Sequence, residues 1–146
     1  MMNLIWGTVL IVFTLLLCWL AQVVSVLSPT LAARLGLTEP EADVDHTFYV
    51  DGLGEAIWDA MILWTLPVAG ILLVLNNPWW AYFGLVGGGM YLYFAGRLLV
   101  VRTMMRRRGI RIGKPETVKL YNGVLMLWGL IALITIGLAV MALPLP

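Results

Sequence analysis

The chain has 146 residues, 62% of them hydrophobic and 12% charged, with a formal net charge of +1. A soluble domain carries about twice that charged fraction, so a mean hydropathy of +0.95 makes lipid the solvent of this chain. The single cysteine, Cys18, excludes an internal disulfide and any CxxC redox or zinc motif.

Every Lys, Arg, Asp and Glu falls either between Arg34 and Asp59 or between Arg97 and Lys119. The uncharged remainder divides into tracts that predict an all-α integral membrane protein, one domain over residues 1–146. Its four transmembrane helices form an antiparallel bundle, with spans at about 4–27, 55–75, 79–101 and 117–142.

The first tract, Leu4 to Leu27, has no cationic segment before it and is longer than a signal-peptide core, so it reads as a span rather than a leader. Thr14, Cys18, Gln22 and Ser25 share one face of it. Polar side chains in a membrane face neighbouring helices, and a packing stripe is the favoured reading over a substrate path. Ser28-Pro29 then suits a helix start, and Thr30 to Leu37 predicts a short interfacial helix in the first connection.

Thr38 with Glu41 resembles a capping box that would start another short helix near Glu39. Glu39, Glu41, Asp43 and Asp45 alternate and are followed by the only histidine, His46. The run lacks the glycine and terminal Glu of a calcium loop, so it reads as a solvated acidic surface, with no metal assigned.

The second span is expected to begin near Gly54. Asp51, Glu55 and Asp59 recur every four residues at its entrance, where the helix dipole favours carboxylates. Pro67 cannot donate to the carbonyl of Leu63, which predicts a kink and extends the acidic face inward. Asn76-Asn77-Pro78 is a turn, and Trp79, Trp80 and Tyr82 mark a membrane boundary.

In the third span Gly84, Gly88 and Ala95 fall on one face, a small-residue pattern for close packing inside the bundle or against another copy. Tyr82, Gly89, Tyr93 and Arg97 fall on the other. Asp59 and Arg97 lie at similar distance from the turn, some 27–30 Å, so a pair between them is one expectation and a snorkelling Arg97 the other. Beyond it, Arg102, Arg106, Arg107, Arg108 and Arg111 are assigned to anionic lipid headgroups and not to nucleic acid. A phosphate-loop reading of Gly113-Lys114 fails because Pro115 stands where Ser or Thr is needed. Tyr121, Trp128 and Thr135 share a face of the fourth span, and the tail Pro144 to Pro146 is uncharged.

Four spans put the first and third connections on one side. The third carries eight basic residues against Glu116, so it belongs in the cytosol, with both termini outside a bacterial cytoplasmic membrane. The first brings seven carboxylates to the same side, where the two connections attract.

Three functions follow as alternatives. One is a non-catalytic accessory or self-associating subunit with a charged cytosolic docking face, as a homo-oligomer or in a larger complex. Another is a small transporter or channel using Asp59, the Leu63 carbonyl and Gln22, within a candidate polar cluster of Asp51, Glu55, Asp59, Arg97 and Gln22. The last is a membrane enzyme with a site at the cytosolic edge, although no catalytic or cofactor-binding residue is assigned. The span count, length and N-outside arrangement resemble the membrane-associated proteins of eicosanoid and glutathione metabolism, trimers of four-helix subunits. The resemblance is architectural: where their second helix carries an arginine- and asparagine-containing motif this chain reads Gly54-Glu-Ala-Ile-Trp-Asp-Ala60, and no ligand residue carries over.

Overall fold

A computed structural model describes residues 1–143; the tail residues Pro144, Leu145 and Pro146 lie outside the described residues. The described chain is helical apart from its connections and one isolated bridge. In chain order come α1 (Met2–Leu27), α2 (Pro29–Arg34), a 3-10 turn (Glu41–Asp43), α3 (His46–Ile62), α4 (Thr65–Val74), α5 (Trp80–Arg107) and α6 (Pro115–Ala142). Four continuous or nearly continuous helices among the described residues, Met2–Leu27, His46–Val74, Trp80–Arg107 and Pro115–Ala142, are long and apolar enough to cross a membrane.

Two of them are irregular in mid-course. In α1 the stretch Ile11–Trp19 is wound as a π-helix, which the sequence did not announce. Its wider winding presents carbonyls to neighbouring helices. The Trp128 indole donates to the Phe13 carbonyl at 2.9 Å, and the Tyr91 hydroxyl donates to the Thr14 carbonyl at 3.0 Å. The second irregularity is the predicted one. Pro67 has no N–H for the Leu63 carbonyl, and the helix breaks at Leu63 and Trp64 between α3 and α4. The three carbonyls before Leu63 each receive a side-chain donor: Trp19 Nε1 to Ala60, Trp64 Nε1 to Met61, and Thr65 Oγ1 to Ile62, at 2.9, 2.9 and 3.1 Å.

Helix ends follow their local chemistry. Asn76 adopts φ +52 and closes α4, with Asn77 N–H donating to the Leu72 carbonyl and Asn76 N–H to Leu73. Gly36 and Gly109, at φ +70 and +77, close α2 and α5 by the same pattern. The expected capping box at Thr38 is not built. Glu39 precedes Pro40 and is held out of the helical region, so only the turn Glu41–Asp43 forms. The second span also starts earlier than expected, at His46 rather than near Gly54, and Gly52 and Gly54 are carried within α3 facing open space. Asp51, Glu55 and Asp59 therefore sit in the helix body, and the dipole explanation for them fails.

The core runs from Leu10 and Cys18 on α1 through Leu63, Leu66 and Ala69 to Tyr91, Phe94 and Ala95 on α5 and Leu125, Ile131 and Ala132 on α6. Helix α4 lies at its centre, approached on both sides through glycine. Gly7 and Gly70 face one another across α1 and α4, and Gly87 of α5 meets the Leu66 backbone. Gly84 and Gly88 rest on Ala139, Thr135 and Ile136 of α6, so the small-residue face of α5 packs inside the chain. The Tyr121, Trp128 and Thr135 stripe of α6 is a hydrogen-bonded seam: these residues bond Gly36, Phe13 and the Trp6 indole respectively. Of the predicted face on α1, Thr14, Cys18 and Ser25 are buried and Gln22 is half-buried.

A Cβ added at Gly87 would stand 2.6 Å from the Leu66 nitrogen. Gly87→Ala is therefore expected to lower the thermal midpoint in lipid nanodiscs by the equivalent of about 1–3 kcal/mol, the range for overpacking. Gly89→Ala, with nothing within 4 Å, should leave it unchanged or raise it. Equal midpoints would refute the packing.

Candidate functional site

The ionic residues gather at one end of the bundle, where the two long connections fold onto each other. Val44 and Ile112 form an antiparallel bridge and both are buried. Asp45 N–H donates to the Arg111 carbonyl at 2.8 Å, and Arg111 N–H donates back to the Asp45 carboxylate. The Arg111 guanidinium donates to the Val44 and Ala42 carbonyls at 3.2 and 3.4 Å, and Lys114 Nζ lies 3.3 Å from Asp43. Tyr121 donates its hydroxyl to the Gly36 carbonyl at 2.8 Å, tying the first connection to α6. We call this folded pair of connections the collar.

Below the collar the break at Leu63 and Trp64 decides the geometry. Helix α4 packs closely between α1 and α5, while α3 leans on the last turns of α1 and separates from α5. A groove of about 310 Å³ lies between α3 and α5, lined by Asp51, Glu55, Trp58, Asp59, Tyr93, Phe94 and Arg97. Arg97 bridges it. Its Nη1 donates to Glu55 at 2.5 Å and its Nη2 to Asp51 at 3.0 Å.

The expected pair of Asp59 with Arg97 is not formed. The long Arg97 side chain reaches toward the ionic end, where two carboxylates share it, while Asp59 turns into the bundle and is only 3% exposed. One oxygen of Asp59, Oδ2, has no hydrogen-bond partner among the described residues. Gln22 is in a different space from Asp59. It lines a second cavity, of about 160 Å³, between the collar and the tops of α1, α3 and α5. The track from Asp59 to Gln22 is therefore two compartments, joined by Asp51 and Glu55, which border both.

Arg102 is only 8% exposed, its guanidinium carbon 5.4 and 5.1 Å from the centroids of the Phe48 and Tyr121 rings. A cation over an aromatic face is attracted by the ring quadrupole, which favours this inward position. Arg106, Arg107 and Arg108 remain exposed, and none forms an ion pair among the described residues. Arg111 is exposed too, but its donors serve the collar.

Sequence reasoning missed Glu39, Phe48 and Tyr121 as site residues. Glu39 lines the cavity, and its carboxylate fills the space a side chain would take at Gly113, where φ is +120. The acidic run gave no hint that one of its members would turn inward; the others are directed to Lys114, Arg111 and His46.

These features define a class: an all-helical protein with four helices long and apolar enough for a membrane, its charged residues collected at one end around two small cavities. Comparisons with protein-family models, curated proteins and solved structures return no match for this chain.

The Glu55 side chain is 9% exposed and that of Asp51 30%. Glu55→Gln is accordingly expected to cost on the order of 1–3 kcal/mol, as for a lost hydrogen bond to a charged group. Asp51→Asn should cost under about 1 kcal/mol. Both effects should shrink in an Arg97→Met background when thermal midpoints are compared in a double-mutant cycle. Fully additive effects would show that Arg97 does not couple to either carboxylate.

Proposed function

We propose that the chain is an integral protein of the bacterial cytoplasmic membrane, an antiparallel bundle with both termini outside and the collar in the cytosol. Its role in this reading is that of a non-catalytic accessory subunit whose collar is the docking face. The observation that carries it is the collar itself. Two connections that solvent would otherwise leave apart are joined by a main-chain bridge, two reciprocal Asp45–Arg111 hydrogen bonds and the Asp43–Lys114 pair. A surface fixed in this way binds without the ordering cost that a mobile loop incurs.

The orientation rests on the basic character of the third connection. The exposed Arg106, Arg107 and Arg108 then meet anionic headgroups, each contributing about 1 kcal/mol near such a surface. Helix α2 and its C-cap expose Leu31 and Leu35, which suits a short helix lying in the interface beside them. The glycine faces of α5 are used within the chain, so the reading favours a partner at the collar over self-association through Gly84 and Gly88.

A second reading is transport, favoured by one observation. Asp59 is buried beside the groove with an oxygen free of partners, one turn before a helix break. Irregular backbone next to an intramembrane carboxylate is a recurrent arrangement in transporters. Here Asp59→Asn should abolish a proton- or cation-dependent flux in proteoliposomes, and an unchanged flux removes the idea.

Two measurements test the first reading. Single cysteines introduced as Glu41→Cys and Arg107→Cys in a Cys18→Ser background should react with an impermeant maleimide only after the membrane is opened. Labelling of either in intact cells overturns the orientation. The protein extracted gently from its own membrane should migrate on a native gel with a partner that is lost when Asp43 and Asp45 of the collar are changed to Asn. Migration as a lone 16.2 kDa chain would overturn the docking role.

A further inference from the structure

The docking role leaves the cavity under the collar unused, and its lining has a definite chemical complement. At its wall is Arg102, more than nine-tenths buried, with its guanidinium carbon over the rings of Phe48 and Tyr121. Two of its nitrogens, Nε and Nη2, have no acceptor among the described residues. They are the pair whose N–H bonds run parallel along one edge of the guanidinium, the fork that meets two oxygens of a carboxylate or phosphate. The aromatic rings hold the group in place without satisfying that edge.

The cavity also contains carboxylates. Asp51 and Glu55 border it, but their charge is engaged by Arg97 at 3.0 and 2.5 Å. Glu39 is not so engaged: its Oε1 is buried and has no donor among the described residues. A simple anion drawn to Arg102 would thus meet repulsion from Glu39, Asp51 and Glu55 nearby. A cation drawn to Glu39 would meet Arg102. The complement of this lining is a molecule with both an anionic two-oxygen group and an N–H donor.

The volume, about 160 Å³, is well above the ~15 Å³ a single water requires. Leu37, Leu53, Leu98 and Val101 supply an apolar flank beside the two charges. The cavity stands at the ends of helices long enough to cross a bilayer, where lipid headgroups would lie.

We propose that this cavity is a binding site for a phosphoethanolamine group, with its phosphate on the Nε and Nη2 edge of Arg102 and its ammonium on Glu39. The same group occurs on a phosphatidylethanolamine lipid and on soluble phosphoethanolamine. The flank of leucine and valine favours the lipid, and that choice of source, though not the site, rests on the membrane placement proposed above. Gly113 is a positioning residue: with no Cβ, it leaves room for the Glu39 carboxylate.

The test uses the full chain in detergent micelles, with bound adducts counted by native mass spectrometry. The probes are short-chain phosphatidylethanolamine, phosphatidylcholine and phosphatidylglycerol, and soluble phosphoethanolamine. Phosphatidylethanolamine should bind about tenfold more tightly than the other two lipids, the scale of one charge-assisted hydrogen bond. Phosphatidylcholine carries the charge but no N–H for Glu39, and phosphatidylglycerol lacks the ammonium. Arg102→Met should remove binding of all three. Glu39→Gln should bring phosphatidylethanolamine down to the level of phosphatidylglycerol. Gly113→Ala should weaken phosphatidylethanolamine in the same direction. Soluble phosphoethanolamine binding as tightly as the lipid keeps the site and overturns the lipid source; much weaker binding supports that source. Equal affinity for the three lipids, or a preference that survives Glu39→Gln, overturns the proposal. Labelling in intact cells in the maleimide test above would move the site to the other leaflet and leave the cavity's preference for phosphoethanolamine standing.

Discussion

Hydrogen-bonding the irregular backbone is the constraint on which this structure depends. A helix in an apolar surrounding satisfies its own N–H and C=O groups only while its winding is regular. Here the winding of α1 widens over Ile11–Trp19, and the helix that follows the acidic connection breaks at Leu63 and Trp64. Both interruptions lie against neighbouring helices, and side chains supply donors there. Trp128 and Tyr91 reach the carbonyls of Phe13 and Thr14, Trp19 reaches Ala60, and Trp64 and Thr65 serve Met61 and Ile62. The aromatic residues are therefore fasteners as well as filling. They also tie α1 to α5, α6 and the break.

The break has consequences for charge. Because α4 is gripped closely between α1 and α5 through Gly7, Gly70 and Gly87, the direction of α3 is set by the turn at Leu63 and not by contact with α5. The two helices part, and the space between them holds the groove and the Arg97 clamp. Arg97 selects Glu55 and Asp51 because they lie toward the ionic end, where desolvation is least and two carboxylates can share one guanidinium. Asp59, a turn deeper, is left to the interior.

The collar closes the same end. Its bridge at Val44 and Ile112 buries two apolar side chains between otherwise charged connections, and Arg111 donates to main-chain carbonyls as well as facing solvent. Its inner surface carries Glu39 over the cavity. Arg102 faces that cavity from α5, between a ring from α3 and a ring from α6. The placement of Arg102 separates it from Arg106, Arg107 and Arg108, which look alike in sequence and differ in surroundings.

Much of this was legible beforehand. Hydropathy placed the four long helices, Pro67 placed the break, Asn76 and Asn77 placed the turn, and the spacing of Tyr121, Trp128 and Thr135 marked the seam of α6. These are local signals, because the residue types act on their own backbone or repeat with the helix period. The tertiary structure alone decided the π-wound course of α1, the facing glycines Gly7 and Gly70, the choice of Arg97 between three carboxylates, and the inward turn of Arg102 and Glu39. Each of these depends on which residues, distant in sequence, arrive at the same place. A flexible charged side chain takes the partner that the packing of other helices brings within reach, and no spacing along the chain encodes that distance.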